Sequence, residues 1–237
     1  RNAETGGGLA VHALVSGDWK IRAEVASPSA SPQLLISVGP DESELAYPLL
    51  PGESAVFSRA VFAGLSDGAP ESGAAAFQRY LLSDEAHQNP KTIPVEFNTW
   101  FYNFERLDEG ELLRQLDAAA GLGCEAFTVD AGWYGRLEGD WALQVGDWRE
   151  KTDGAFYGKM REFAEKVREK GLIFGVWIEP ERLSPNAPVV TQNPDWFLPG
   201  QPPFARMDLE TPAAYRYLSG EISRLVETYQ LAWMKID

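Results

Sequence analysis

The chain opens with short apolar runs set between turn residues. Runs over 9–15, 19–25, 34–38 and 55–62 are punctuated by Pro-Ser, Gly-Pro and Pro-Gly pairs. In Trp19-Lys20-Ile21-Arg22-Ala23-Glu24-Val25 apolar and charged side chains alternate, which is the period of a half-buried antiparallel strand. This part reads as β-sandwich. A short helix is expected over 74–82, a polar linker over 83–91, and a domain boundary near residue 90.

Past that boundary the rhythm changes. Strand-like runs at 93–97, 126–130, 173–178 and 232–237 alternate with helical patterns, which signals βα units and a parallel sheet. The first helix has Asp108 as N-cap with Glu111 three residues on, then Leu112, Leu113, Leu116 and Ala120 on one face and Gly121 and Gly123 as stops. The second, over 159–170, turns Met160, Phe163, Ala164 and Val167 inward, pairs Glu162 with Lys166 at i,i+4, and ends at Gly171. The third opens with Thr211 and Pro212 and carries Tyr215, Leu218, Ile222, Leu225, Val226 and Tyr229 as its apolar stripe.

Composition narrows the class. With 237 residues and 44% hydrophobic positions the chain can bury a sizeable core in one or two domains. The 21 Lys and Arg against 35 Asp and Glu give a net charge of −14, which repels phosphate backbones and anionic lipid, so nucleic acid and membrane surfaces are excluded as expected partners. The longest apolar run, 171–178, falls far short of the roughly 20 residues a bilayer span needs. Cys124 is the single cysteine, so no internal disulfide is possible and a reducing, cytoplasmic compartment is expected. His12 and His87 are too few and too far apart for a metal pattern. The start, Arg1-Asn2-Ala3-Glu4-Thr5, has neither Met nor an apolar signal region, so preceding sequence is expected.

In parallel α/β folds ligands bind at the carboxyl ends of the strands. Those ends here are Asn98-Thr99-Trp100, Asp130-Ala131-Gly132-Trp133, Trp177-Ile178-Glu179-Pro180-Glu181 and Lys235-Ile236-Asp237. An acid after a strand is often a helix cap, and a Trp is more often core than ligand. Four ends that each carry a Trp, a carboxylate or both point instead to a carbohydrate site. A pyranose offers an apolar face to stack on indole and hydroxyls that need charged hydrogen-bond partners. Alternation along the last strand puts Lys235 and Asp237 on one face and Ile236 toward the helices. Lys235 is thereby expected to favour the anionic form of Asp237 that attack on an anomeric carbon requires.

Over most of 48–237 these motifs resemble glycoside hydrolase family 36, the melibiase-type α-galactosidases. Pro48-Leu49-Leu50-Pro51-Gly52-Glu53-Ser54 is similar to the exit of that family's N-terminal sandwich. Asn98-Thr99-Trp100, Val129-Asp130-Ala131-Gly132-Trp133-Tyr134-Gly135, Gly146-Asp147-Trp148, Trp177-Ile178-Glu179-Pro180-Glu181 and Met234-Lys235-Ile236-Asp237 resemble its barrel motifs in order. The fold implied is α/β: residues 1–90 as the C-terminal part of an N-terminal β-sandwich plus linker, and 91–237 as the first half of a (β/α)8 TIM-type barrel. The activity implied is a retaining, exo-acting α-galactosidase that hydrolyses terminal α-D-galactosides of melibiose or raffinose type. By resemblance Asp237 is the nucleophile, Lys235 contacts the sugar ring, Trp100 and Trp177 form the aromatic wall, and Asp130 grips galactose hydroxyls. No cofactor or metal is implied; the partner is a small carbohydrate, with homo-oligomerisation of the full-length protein.

Three departures qualify the resemblance. Ala131 stands where many members have a second aspartate. The segment 198–209 is shorter than the family's, so Arg206 is matched to its sugar-binding arginine by position alone. The family's acid/base aspartate lies on a later strand, so the chain is expected to be an inactive fragment ending at the nucleophile strand. The alternatives are a related specificity such as α-N-acetylgalactosaminidase or transglycosylation, or a non-catalytic sugar-binding fragment.

Overall fold

The structure is a computed structural model that describes residues 4–14, 18–26, 33–41, 48–56, 59–83, 93–135, 140–199 and 203–237. Contacts divide the chain into two units, Arg1–Thr92 and Ile93–Asp237. The linker expected over 83–91, with His87, falls almost wholly outside the described residues.

The first unit holds two antiparallel strand pairs. β1 (Gly8–Leu14) pairs with β4 (Arg59–Leu65) from Gly8 opposite Leu65 to Leu14 opposite Arg59. β2 (Trp19–Ala26) pairs with β3 (Gln33–Pro40) from Trp19 opposite Pro40 to Ala26 opposite Gln33. The last strand lies later than the run over 55–62 suggested. Helix α1 (Pro70–Leu81) starts four residues earlier than expected, because Pro70 supplies a preset first-turn φ. Its Phe77 ring lies 5.3 Å from that of His12 on β1. The alternation along β2 does not produce a half-buried strand: Trp19, Ile21 and Val25 are all exposed. No second layer covers their apolar face among the described residues.

The second unit contains a four-stranded parallel sheet, order β11-β7-β6-β5. Its strands are β5 (Glu96–Asn98), β6 (Ala126–Val129), β7 (Ile173–Ile178) and β11 (Trp233–Ile236). Each neighbour in space is the next strand of this sheet in sequence, and helices carry the crossovers: α3 (Glu109–Gly121), α4 (Met160–Glu169) and α6 (Pro212–Tyr229). A single turn, α2 (Trp100–Asn103), follows β5. The β7-to-α6 crossover also holds α5 (Pro188–Gln192) and a small antiparallel sheet of β8 (Arg182–Leu183), β10 (Ala205–Met207) and β9 (Phe197–Leu198).

Leu112, Leu116 and Ala119 of α3, Phe163, Ala164 and Val167 of α4, and Leu225 and Tyr229 of α6 close on Phe127, Val129, Phe174 and Val176 of the sheet. Each large apolar side chain buried here contributes about 1.5–3 kcal/mol. Asp108 caps α3 as expected, accepting the Glu111 N–H at 2.8 Å. The Glu111 carboxylate is taken by Arg114 and does not close a capping box. Lys166 pairs not with Glu162 but with Glu109 at 2.9 Å, because α4 packs beside α3 and offers a cross-helix partner. On α6 the buried stripe is Ala214, Leu218, Glu221, Leu225 and Tyr229, which leaves Tyr215 and Val226 on the exposed side. Ile236, expected to face helices, is 60% exposed, with no helix packed on it among the described residues. No helix of the described residues is long and apolar enough to cross a membrane.

Candidate active site

The ends of β5, β6 and β11 meet at Asp130, and the end of β7 meets that of β11 at Asp237. The Asp130 side chain is 2% exposed, and three donors hold its carboxylate. Asn98 Nδ2 from β5 donates to Oδ2 at 2.7 Å, Lys235 Nζ from β11 to the same oxygen at 3.0 Å, and the Ala131 N–H to Oδ1 at 2.8 Å. The fully buried Thr99 accepts the Asp130 N–H at 2.9 Å. Gly132 makes the turn that follows: its φ is +103°, and a Cβ there would lie 2.6 Å from the carbonyl oxygen of Glu105 in the loop after α2.

Asp237 stands next to this knot, and its N–H donates to the Ile178 carbonyl at 3.1 Å. Its side chain is 62% exposed. Trp177 Nε1 donates to Asp237 Oδ2 at 3.0 Å, while Lys235 Nζ lies 3.9 Å from that oxygen. Lys235 and Asp237 do share a face, but the closer partner of Lys235 is Asp130. A buried carboxylate competes for an ammonium more strongly than a solvated one. Asp237 opens onto a cavity of about 490 Å³ that Glu179, Glu181, Arg182, Phe204 and Arg206 also line.

Trp177 does not present a face to this cavity. It is 2% exposed, with Tyr134 stacked on it at 5.8 Å and Trp141 and Trp148 against it at 5.5 and 6.1 Å. Trp133 fixes the strand beneath by donating to the Trp177 carbonyl at 3.0 Å. Burial, with the nearby charges of Glu179 and Asp130, pushes the Tyr134 phenol far above its ordinary value and keeps it neutral. Trp100 is half-buried, edge-on to Trp141 and Phe104 at 5.4 Å each.

This constellation lies inside a region, 59–237, that matches the family model described as Melibiase. The chain belongs to the melibiase family. Among its melibiase relatives it is 30% identical over 173 residues to α-galactosidase AgaA of Geobacillus stearothermophilus, covering 69% of this chain and 22% of that protein. It is 30% identical over 151 residues to α-galactosidase 1 of Pediococcus pentosaceus, covering 61% and 20%. In fold it resembles the crystal structure of the family 36 α-galactosidase AgaB of Geobacillus stearothermophilus, with a TM-score of 0.84 at 24% identity over 98% of this chain and 32% of that one. The chain therefore spans between a fifth and a third of the length of these melibiase proteins.

Of the residues singled out in the sequence, the structure brings Asp130, Lys235, Trp177 and Asp237 into one bonded group and puts Arg206 on the same cavity as Asp237. Trp100 connects to that group through its N–H, which donates to Asn98 Oδ1 at 2.8 Å, and through its ring against Trp141. The sequence reading missed Arg182, Phe204 and Trp141. For Arg182 a signal existed: Glu179 and Arg182 stand three apart directly after a strand end, and they form an ion pair. Phe204 and Trp141 lie in crossover segments where no period distinguishes a cavity aromatic from a core one.

Proposed function

We propose that these residues supply the nucleophile half of a retaining, exo-acting α-galactosidase, with Asp237 attacking the anomeric carbon of a terminal α-D-galactoside. The observation that carries this reading is the contrast between two neighbouring carboxylates. Asp130 is buried and held by three donors, whereas Asp237 takes one indole N–H and lines a cavity. A nucleophile has to reach substrate, so Asp237 takes that role, and Asp130 positions Lys235 and the floor of the site.

In the first step an Asp237 oxygen forms a bond to C1 as the glycosidic C–O bond breaks. A carboxylic acid outside these residues protonates the leaving oxygen and then activates the water that releases galactose. Arg206 reaches sugar hydroxyls from the cavity wall, and Trp100 borders the site. Family membership supports the reading, and AgaA variants of the related Geobacillus enzyme have been solved with raffinose and with stachyose. In the same reading residues 91–237 are the first half of a (β/α)8 barrel, and residues 1–90 are the C-terminal part of a β-sandwich plus linker.

The test is hydrolysis of an aryl α-galactoside by the complete gene product, with the anomer of released galactose followed by proton NMR. Turnover with retained configuration, abolished in Asp237→Ala, is expected. Undiminished turnover in that variant overturns the assignment.

A further inference from the structure

A pyranose site needs an apolar surface as well as hydrogen-bond partners, and the indole expected to provide it is sealed. Trp177 is enclosed by Tyr134, Trp141 and Trp148, and only its N–H reaches toward the site. Asp130 and Lys235 bring charge, and Glu179, Glu181 and Arg206 bring more. Among the described residues that line the Asp237 cavity, the aromatic one is Phe204.

Phe204 is set in place by a layered contact. Glu179, just past the end of β7, forms an ion pair with the guanidinium of Arg182 through both Nε and Nη2. That guanidinium lies over the Phe204 ring, 4.2 Å from its centroid. The small sheet holds the parts together, since β8 pairs with β10 so that Arg182 is opposite Arg206, two residues past Phe204. The planar guanidinium backs one face of the ring, and its charge is neutralised by Glu179. Arg182 and Phe204 both line the cavity.

We infer that Phe204, backed by Arg182, is the surface on which the apolar face of the galactosyl ring stacks, and that it sets preference for galactose over glucose. The inference rests on the α-galactosidase reading and extends it to a residue outside the bonded group. In galactose the axial 4-hydroxyl leaves the hydrogens on C3, C4 and C5 together on one face, a continuous apolar patch that fits an aromatic ring. In glucose the equatorial 4-hydroxyl breaks up that patch. Stacking of this kind acts equally on ground state and transition state, so its loss falls mainly on KM. Arg182 is a positioning residue that acts through the ring.

The experiment uses the complete gene product with Phe204→Ala, Phe204→Tyr and Arg182→Met, and with free galactose and free glucose as probes in saturation-transfer NMR. In the wild type, saturation is expected to be strongest at galactose H3, H4 and H5, and weaker and uniform on glucose. Phe204→Ala should remove that pattern and raise KM for an aryl α-galactoside about tenfold, with kcat changed less. Phe204→Tyr should retain both, and Arg182→Met should weaken both in the same direction. If Phe204→Ala fails to fold, Phe204→Tyr against Phe204→Leu gives the same contrast of aromatic and aliphatic side chains. A wild type that hydrolyses galactosides, with an H3–H5 pattern and sugar preference unchanged in the non-aromatic variants, overturns the role of Phe204 alone. A wild type that neither binds galactose nor hydrolyses galactosides overturns the α-galactosidase reading, and this inference with it.

Discussion

Trp177 and Asp237 sit at the ends of adjacent parallel strands, joined by a hydrogen bond of 3.0 Å from the indole N–H to Asp237 Oδ2. Strand pairing sets Lys235 beside Trp177 and Ile236 beside Ile178, and the Asp237 N–H donates to the Ile178 carbonyl at 3.1 Å. In the proposed mechanism Oδ2 is engaged by the indole and approached by Lys235, and Oδ1 is the oxygen that meets the anomeric carbon. In that mechanism the buried Trp177 serves as an orienting donor and not as a stacking surface.

Trp177→Phe keeps an aromatic ring among Tyr134, Trp141 and Trp148 but removes the donor and leaves a gap where the rest of the indole packed. Hydrogen bonds to charged groups are worth about 1.5–3 kcal/mol, so kcat on an aryl α-galactoside is expected to fall about 10–100-fold. Circular dichroism should be unchanged. Wild-type kcat in the variant would show that the bond does not serve the reaction.

Among the described residues Lys235 is the only charged donor on the buried Asp130, so Lys235→Met leaves a desolvated carboxylate with two neutral donors. The variant should lose about 1–3 kcal/mol in urea unfolding, and Asp130→Asn added to it should restore part of the loss, because the stranded charge is then gone. A double variant no more stable than Lys235→Met would contradict the pairing.

Gly175 lies in β7 between β6 and β11, where a Cβ would come within 2.8 Å of Thr128 Oγ1 and 2.9 Å of Trp233 Cδ1. Gly175→Ala is expected to cost about 1–3 kcal/mol, read as a lower urea midpoint, because the sheet would have to spread. An unchanged midpoint would mean that the three strands are less closely packed than described.

Two glutamates, the half-buried Glu150 and the buried Glu221, titrate with opposite sign. Burial raises the carboxyl of Glu150, although it accepts the Met160 N–H at 2.8 Å at the start of α4. Its folded value exceeds its unfolded one, so its contribution is full below the ordinary glutamate value and is lost as pH rises through the raised value. Burial would also raise Glu221, but hydrogen bonds from Arg149 and Arg224 outweigh it and hold the group below its ordinary value. That contribution is present above the ordinary value and is lost as pH falls through the lowered one. Glu150→Gln, which keeps an acceptor for Met160, should therefore raise Tm at pH 8 and leave it unchanged near pH 3. Glu221→Gln should lower Tm at pH 8 and matter less in acid. Thermal unfolding at both pH values checks each sign.

Helices α3, α4 and α6 were legible because their caps and 3.6-residue stripes are local, and the acids at strand ends because the parallel-sheet rule says where to look. What the sequence did not disclose was competition among partners. Lys235 can serve Asp237 or Asp130, and Lys166 can serve Glu162 or Glu109, and only tertiary placement decides. Whether Trp177 offers its face or its edge depends on Tyr134, Trp141 and Trp148, which arrive from a loop with no periodicity. The sheet of β8, β9 and β10 was missed because its strands are two or three residues long, too short for alternation to register. The apolar alternation of β2 was legible, but alternation does not say whether a second layer is there to cover it.

In the proposed mechanism Asp237 forms the covalent bond to the sugar. A fluorinated α-galactoside that accumulates the glycosyl-enzyme, followed by proteolysis and peptide mass spectrometry of the complete gene product, tests it directly. The expected result is a hexosyl adduct on the peptide ending the Met234-Lys235-Ile236-Asp237 strand, located on Asp237. An adduct on Glu179, Glu181 or any other carboxylate would contradict it.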